Sequence, residues 1–458
     1  MTKYQKILLT YKIYYVIYLL VAFNAFLNER SWFPYLTYIT AGWGAIMILV
    51  SLPKLKSFFQ DKIFICLVLF IGTWAITSLL HRQYGLMENI QGIIWLTIQT
   101  VVLYGASKEF SITDTKKEFN IIASIYIFIC SIFNIVSLSM LKWGYLYELA
   151  NPHTKEVREI GFRMARLWGI YDDPNHGAVI SLVAFFFALY LVHNYTKISQ
   201  KTVLIISLVI QGLYIILSDS RTAFIGLIVG TSIYVFGYSV HYFTCKEKKN
   251  KIILSIITTI ISIVLISAIT IAGWHVEEKM FLSHQKSYSI QNENEQKKPQ
   301  QSERKKEVSS DVTSGRFDIW QDGITIFKDN KILGIGQRNM KEYAEENMPK
   351  AHVVTNEAGI KYDSLHNMPL DVLLSQGIVG MLLLLAIILL ILQKLIKKAR
   401  SIYTIDKGFY YILFAVLLST ATCSMFISMI FYVQTPVTYM FWLCLGYFMN
   451  LLNKAGKR

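Results

Sequence analysis

Twelve apolar stretches, most of 18 residues or longer, recur along the chain at approximately 7–27, 32–52, 63–80, 90–107, 120–141, 177–195, 202–218, 222–243, 252–274, 370–393, 409–432 and 438–453. A helix of that length crosses the hydrocarbon core of a bilayer. In lipid, a lone segment can satisfy its backbone N–H and C=O groups only as a helix. The chain is therefore expected to be all-α, a polytopic membrane protein with about twelve transmembrane helices. Its expected divisions are spans one to nine over 1–274, interrupted by a non-spanning segment at 142–176, a large loop at 275–366, and the last three spans over 367–458.

Lys and Arg crowd the segments 1–6, 53–62, 108–119, 196–201, 244–251, 394–408 and 454–458, whereas the short loops on the opposite side hold only Arg30, Arg82 and Arg221. Short loops rich in basic residues stay in the cytoplasm, so both termini are expected there and both long segments outside. The first span lacks a small-residue cleavage site and is read as retained. The formal net charge of +15 then reflects topology anchors near anionic headgroups. No nucleic-acid motif accompanies it, so no nucleic-acid partner is expected. Of the cysteines at 66, 130, 245, 423 and 444, four fall in spans and one in a cytoplasmic loop, which argues against a disulfide framework or a Cys-based metal site.

Arginine breaks this pattern. Arg30, Arg82, Arg158, Arg163, Arg166, Arg221, Arg304, Arg316 and Arg338 all fall on the expected outer side, leaving Arg400 and Arg458 inside. Arginine's planar fork grips phosphate through two donors at once, which lysine cannot do. The asymmetry points to an outward face that meets a diphosphate.

Three spans that begin outside carry polar residues at their start: Asp172-Asp173-Pro174-Asn175-His176-Gly177 before the sixth, Ser218-Asp219-Ser220-Arg221 before the eighth, and Ser364-Leu365-His366-Asn367 before the tenth. Asp before Pro reads as a helix N-cap followed by the first helical residue. Ordinary capping explains any one of these turns, but helix N-termini are also anion sites, and three together favour function. Arg221 sits at the lip of the membrane in a tight hairpin, where it needs either a partner or a water-filled cavity, or else snorkels to the headgroups. His366 is the candidate general base, because imidazole titrates near neutrality. Arg316 stands where a polar stretch, 285–314, gives way to an amphipathic pattern (Phe317, Ile319, Trp320, Ile324, Ile326, Phe327) that Gly334-Ile335-Gly336 ends. The polar stretch reads as a mobile excursion without a catalytic role, and 315–366 as a partly helical cap.

Taken in order, these pieces resemble the O-antigen ligase and polymerase superfamily. The resemblance runs from about 160 to 385 and rests on Arg166-Leu167-Trp168-Gly169 leading into Asp173-Pro174-Asn175, on Ser220-Arg221-Thr222, on Gly315-Arg316 with Trp320 and Gly334-Ile335-Gly336, and on His366-Asn367 with Leu370, Gly377 and Gly380. It implies a GT-C-like architecture and an inverting glycosyltransferase working at the outer face of a bacterial cytoplasmic membrane. His366 would take the proton from an acceptor hydroxyl, and Arg221 and Arg316 would stabilise the departing lipid diphosphate. Arg166, Arg163, Asn175 and Asn367 would help to bind substrate. Acidic pairs occur (Asp172-Asp173, Glu277-Glu278, Glu345-Glu346), but no Asp-x-Asp marks a span end, so neither a metal nor another cofactor is expected.

The partners implied are a polyprenyl-diphosphate-linked oligosaccharide as donor, a second as acceptor, and the lipid bilayer, with a flippase and a chain-length regulator as further candidates. Lys- and Ile-rich composition suits a bacterium without lipopolysaccharide and favours a capsular or exopolysaccharide repeat-unit polymerase. The alternatives are a ligase moving a finished glycan to another lipid or wall acceptor and, from another class, a flippase or transporter. Transporters concentrate polar groups near the bilayer midplane; here they gather at one set of span ends.

Overall fold

The computed structural model describes residues 1–143, 146–150, 157–163, 166–291, 316–355, 361–398 and 406–455. The main helices are α1 (Lys3–Ala22), α2 (Phe33–Ser51), α3 (Lys62–Leu80), α4 (Leu86–Ile98, continued by a π-helical turn at Gln99–Gly105) and α5 (Ile112–Trp143). Three strands follow, β1 (Leu146–Ala150), β2 (Val157–Arg163) and β3 (Arg166–Gly169), and then α6 (Pro174–Asn194), α7 (Ile198–Leu217), α8 (Arg221–Cys245) and α9 (Lys251–Gln291). After 316 come α10 (Arg316–Asp329), α11 (Met340–Asn347), α12 (Met368–Lys398), α13 (Lys407–Cys423) and α14 (Pro436–Lys454). Ten of the described helices are long and apolar enough to cross a membrane, and the fold is that of an all-α polytopic membrane protein.

The last two expected spans take a different form. α13 is a shorter apolar helix of 17 residues. α14 is buried on nearly every side, from Pro436 to Leu452. A helix surrounded by other helices has no lipid-facing stripe to keep apolar, so α14 tolerates Thr438 and Asn450, and the latter donates to the Phe110 carbonyl at 2.8 Å. Lys12 belongs to the same centre. Its ammonium meets Glu118 at 2.6 Å with both side chains fully buried, and the Tyr447 hydroxyl donates to the same carboxylate oxygen at 2.7 Å. The pair joins α1, α5 and α14.

Two departures from the sequence reading stand out. The 142–176 segment contains a small antiparallel sheet in the order β1-β2-β3, because a chain leaving one helix end and returning to another must pair its backbone groups locally. The ninth span does not stop near 274 but continues as helix to Gln291. No Gly or Pro interrupts 274–291, so the helix outruns its apolar stretch.

The cap is fixed to the bundle through a break in α12. Gly377 adopts φ +60° and ψ −154° inside that helix. The carbonyls of Leu374 and Ser375 accept the N–H groups of Ile335 and Gly336 at 3.0 and 2.9 Å, and the Ile378 N–H donates to the Lys331 carbonyl at 2.8 Å. A side chain at Gly377 would strike the Ile332 carbonyl, and one at Gly334 would strike that of Leu374. Glycine is required at both positions by φ and by space. Below the clasp, Ile319, Ile326, Ile335, Met340, Val353, Leu365 and Leu374 form a small core separate from that of the bundle.

Candidate active site

The site is assembled from four chain segments at one end of the bundle. The first is the turn into α6. Asp173 caps that helix, its carboxylate accepting the N–H groups of Asn175 and His176 at 2.8 and 2.9 Å, and Pro174 follows as the first helical residue. The His176 ring nitrogen Nδ1 lies 3.5 Å from the same carboxylate. Burial works to raise the Asp173 carboxyl, but hydrogen bonding from His176 and the charge of Arg166 outweigh it and hold the group well below the usual carboxylate range. A buried polar chain steadies this turn from below. Tyr171 donates to Asn134 at 2.8 Å, and Asn134 donates to Ser181 and Gln211 at 2.9 and 2.6 Å.

The second segment is the hairpin between α7 and α8, only three residues long. Asp219 takes a positive φ of 45°, and Ser220 caps α8 by accepting the Ala223 N–H at 3.3 Å. Arg221 is the first residue of the helix and its side chain is exposed. Arg166, at the start of β3, ties this hairpin to the first segment. Its Nε donates to the Ser218 carbonyl at 2.9 Å and its Nη2 to Asn175 Oδ1 at 2.8 Å.

Arg316, the first residue of α10, is the third component. Burial and the nearby charge of Arg221 lower its guanidinium pKa, and Asp173 opposes them. Two guanidinium groups held close enough to repel, with a carboxylate in partial compensation, form a field that favours an anion.

The fourth segment carries His366. This residue is half-buried and adopts φ +51°, a left-handed conformation that few non-glycine residues take, histidine more readily than most. Its N–H donates to Ser364 Oγ at 3.1 Å, and its ring meets Tyr362 edge-on with centroids 6.0 Å apart. Burial, then the charge of Arg316, hold the imidazole below its ordinary pKa; Asp363 opposes and His176 reinforces the effect. Trp320 links this loop to α10, its indole N–H donating to the Leu365 carbonyl at 2.9 Å.

The structure thus brings His366, Arg316, Arg221 and the Asp173–His176 pair into one electrostatic neighbourhood, with Arg166 and Asn175 bonded to each other at its edge. Asn367 stands beside His366 as the cap of α12. Its amide oxygen accepts the Leu370 N–H and its amide nitrogen donates to the Met425 carbonyl, both at 3.1 Å. Arg163 is paired through its backbone with Arg166; its side chain, Arg304 and the stretch 292–315 lie outside the described residues.

Other participants received no role from the sequence. Arg338 donates to Asp363 at 3.3 Å and so holds a charge that reaches His366. Asp371, Ser364 and Ser428 join under the His366 turn. Asp371 had a signal, being acidic in a first helical turn; Ser428, far along the chain, had none. Among the described residues, no group of three or more His, Cys, Asp or Glu could hold a metal ion.

Residues 206–385 match the family model described as O-Antigen ligase, an interval that contains Arg221, Arg316, His366 and the broken part of α12. An uncharacterized protein from Haemophilus influenzae is 23% identical over 372 residues, covering 81% of each chain. The match supports a likeness to the O-antigen ligase and polymerase superfamily over residues 206–385.

Proposed function

We propose that the chain belongs to the O-antigen ligase and polymerase superfamily and polymerises polyprenyl-diphosphate-linked oligosaccharide repeat units by a metal-independent, inverting transfer at the outer face of the cytoplasmic membrane. The observation that carries the reading is that the Trp320 indole, one turn beyond Arg316 on α10, donates to the Leu365 carbonyl beside His366, with Arg316 in electrostatic reach of both Arg221 and His366. One cationic group therefore neighbours both a second cation and a base kept neutral.

On this reading, the diphosphate of the donor lies against Arg221 and Arg316. The neutral imidazole of His366 removes the proton from an acceptor hydroxyl as its oxygen attacks the anomeric carbon from the face opposite the diphosphate. The bond from that carbon to the diphosphate oxygen breaks with its electron pair leaving on the oxygen, so the configuration inverts. Diphosphate departs without a general acid. Fixed donors aimed at the developing charge are each worth roughly 3–4 kcal/mol in such sites. Arg166 and Asn175 hold the Arg221 hairpin in place. Both termini lie in the cytoplasm, as the lysine-rich short loops require.

The lipid-linked glycan that accumulates when the gene is deleted tests the reaction. Single repeat units on lipid support a polymerase. Long finished chains on lipid would make the protein a ligase using the same site. Intermediates held on the cytoplasmic face would make it a flippase.

A further inference from the structure

Asp371 is 2% exposed and lies in the first turn of α12, and the chemistry above assigns it no task. Its Oδ1 accepts the Leu365 N–H at 2.7 Å. Its Oδ2 accepts the hydroxyls of Ser364, at 2.9 Å, and Ser428. Ser364 Oγ in turn accepts the His366 N–H at 3.1 Å and lies 3.3 Å from Ser428 Oγ. One carboxylate therefore fastens the backbone on the N-terminal side of His366, and the positive end of the α12 dipole favours negative charge in that turn.

The His366 backbone needs such fastening. A non-glycine residue at φ +51° is strained and persists only where its surroundings over-determine it. Beyond His366, the chain is pinned again by Asn367 to the Met425 carbonyl and by the Met368 N–H to the Ser424 carbonyl at 2.9 Å. With one side loosened, φ can relax to the usual negative range, which swings the Cα–Cβ bond and carries the ring away. The Asp371 carboxylate bonds to Leu365, Ser364 and Ser428, so its influence on the ring passes through the backbone.

We propose that Asp371 is a positioning residue: through Ser364, Leu365 and Ser428 it holds the strained His366 turn so that the ring is aimed at the acceptor hydroxyl. The proposal rests on the general-base reading of His366. Misplacing a reacting group by about 1 Å can cost about 100-fold in rate.

The test uses full-length protein in membrane vesicles, supplied with the lipid-linked oligosaccharide that accumulates in a deletion strain. Asp371→Ala should lower the maximal rate per molecule at least tenfold while the donor KM stays within about twofold. Asp371→Asn keeps the acceptor for Leu365 and lets the two hydroxyls reverse, so it should recover to within about threefold of the parent. If Asp371→Ala does not insert, Ser428→Ala removes one donor from outside the helix and should lower the rate about threefold at constant KM. An unchanged rate in a well-inserted Asp371→Ala protein, a KM that rises in step with the loss of rate, or an Asn variant as poor as Ala would overturn the proposal. His366→Ala run alongside separates the two ideas. An inactive His366→Ala with a fully active Asp371→Ala defeats only the positioning role, whereas an active His366→Ala defeats the general-base reading itself.

Discussion

The Arg166 guanidinium donates to the carbonyl of Ser218 at 2.9 Å, so a strand residue holds the hairpin from which Arg221 emerges. The same fork reaches Asn175 at 2.8 Å. On the proposed reading, Arg166 serves the placement of Arg221. Arg166→Lys keeps the charge but cannot make both bonds in one plane. The substitution should lower activity about tenfold or more and lower the thermal midpoint of the solubilised protein, each lost hydrogen bond costing about 1–3 kcal/mol. Activity with a normal midpoint and rate would show that the tie is dispensable.

Arg221 is predicted to act on the leaving group directly. Arg221→Lys leaves a cation at the mouth of α8 but loses the two-pronged grip, and the rate should fall on the order of 100-fold. Near-normal polymer in cells carrying this variant would mark Arg221 as a residue that only reaches the headgroups.

The pH dependence has a defined sign. Burial and Arg316 lower the His366 pKa, so the imidazole stays neutral, and competent as a base, to lower pH than a free histidine. The acid limb of kcat should therefore have its midpoint below the ordinary value of about 6.5. Arg316→Gln removes a neighbouring positive charge and should move that midpoint upward in its residual activity. Asp363→Asn removes a negative charge and should move it downward. Rate–pH profiles of the three proteins check both directions.

Removing Glu118 tests the central ion pair apart from any chemistry. Glu118→Ala leaves the Lys12 ammonium buried without its counter-charge, a defect worth about 3–5 kcal/mol. The thermal midpoint should fall steeply while the surviving folded protein keeps its donor KM. A midpoint within a degree or two of the parent would show that Lys12 finds water or another partner.

Gly377→Ala should damage the join between cap and bundle. A side chain there meets both a positive φ and the Ile332 carbonyl, so a loss of at least 1–3 kcal/mol is expected by order of magnitude. Faster proteolysis between 330 and 336 than in the parent is the accompanying sign; unchanged proteolysis would mean that the loop adapts.

Much of this arrangement was legible in the chain itself. Apolar length marked the membrane helices, Asp173-Pro174 marked the start of α6, and the amphipathic spacing from Phe317 to Phe327 marked α10, because each is a local signal. The order of motifs brought Arg221, Arg316 and His366 forward. Other features depend on contacts between distant parts of the chain and left no local trace. The three strands carry no strong alternation, Arg338 meets Asp363 only after the 334–336 segment docks on the broken α12, and Ser428 reaches Asp371 across an unrelated loop. The helical continuation to Gln291 escaped because apolar length measures where lipid ends, not where helix ends.

The most direct measurement is chain extension by purified full-length His366→Ala, shown to be inserted and thermally like the parent, on the lipid-linked repeat units from a deletion strain. The general-base reading of His366 predicts no extension with this variant, while donor binding persists. A full-length polymer ladder from it would contradict the assignment of His366 as the base.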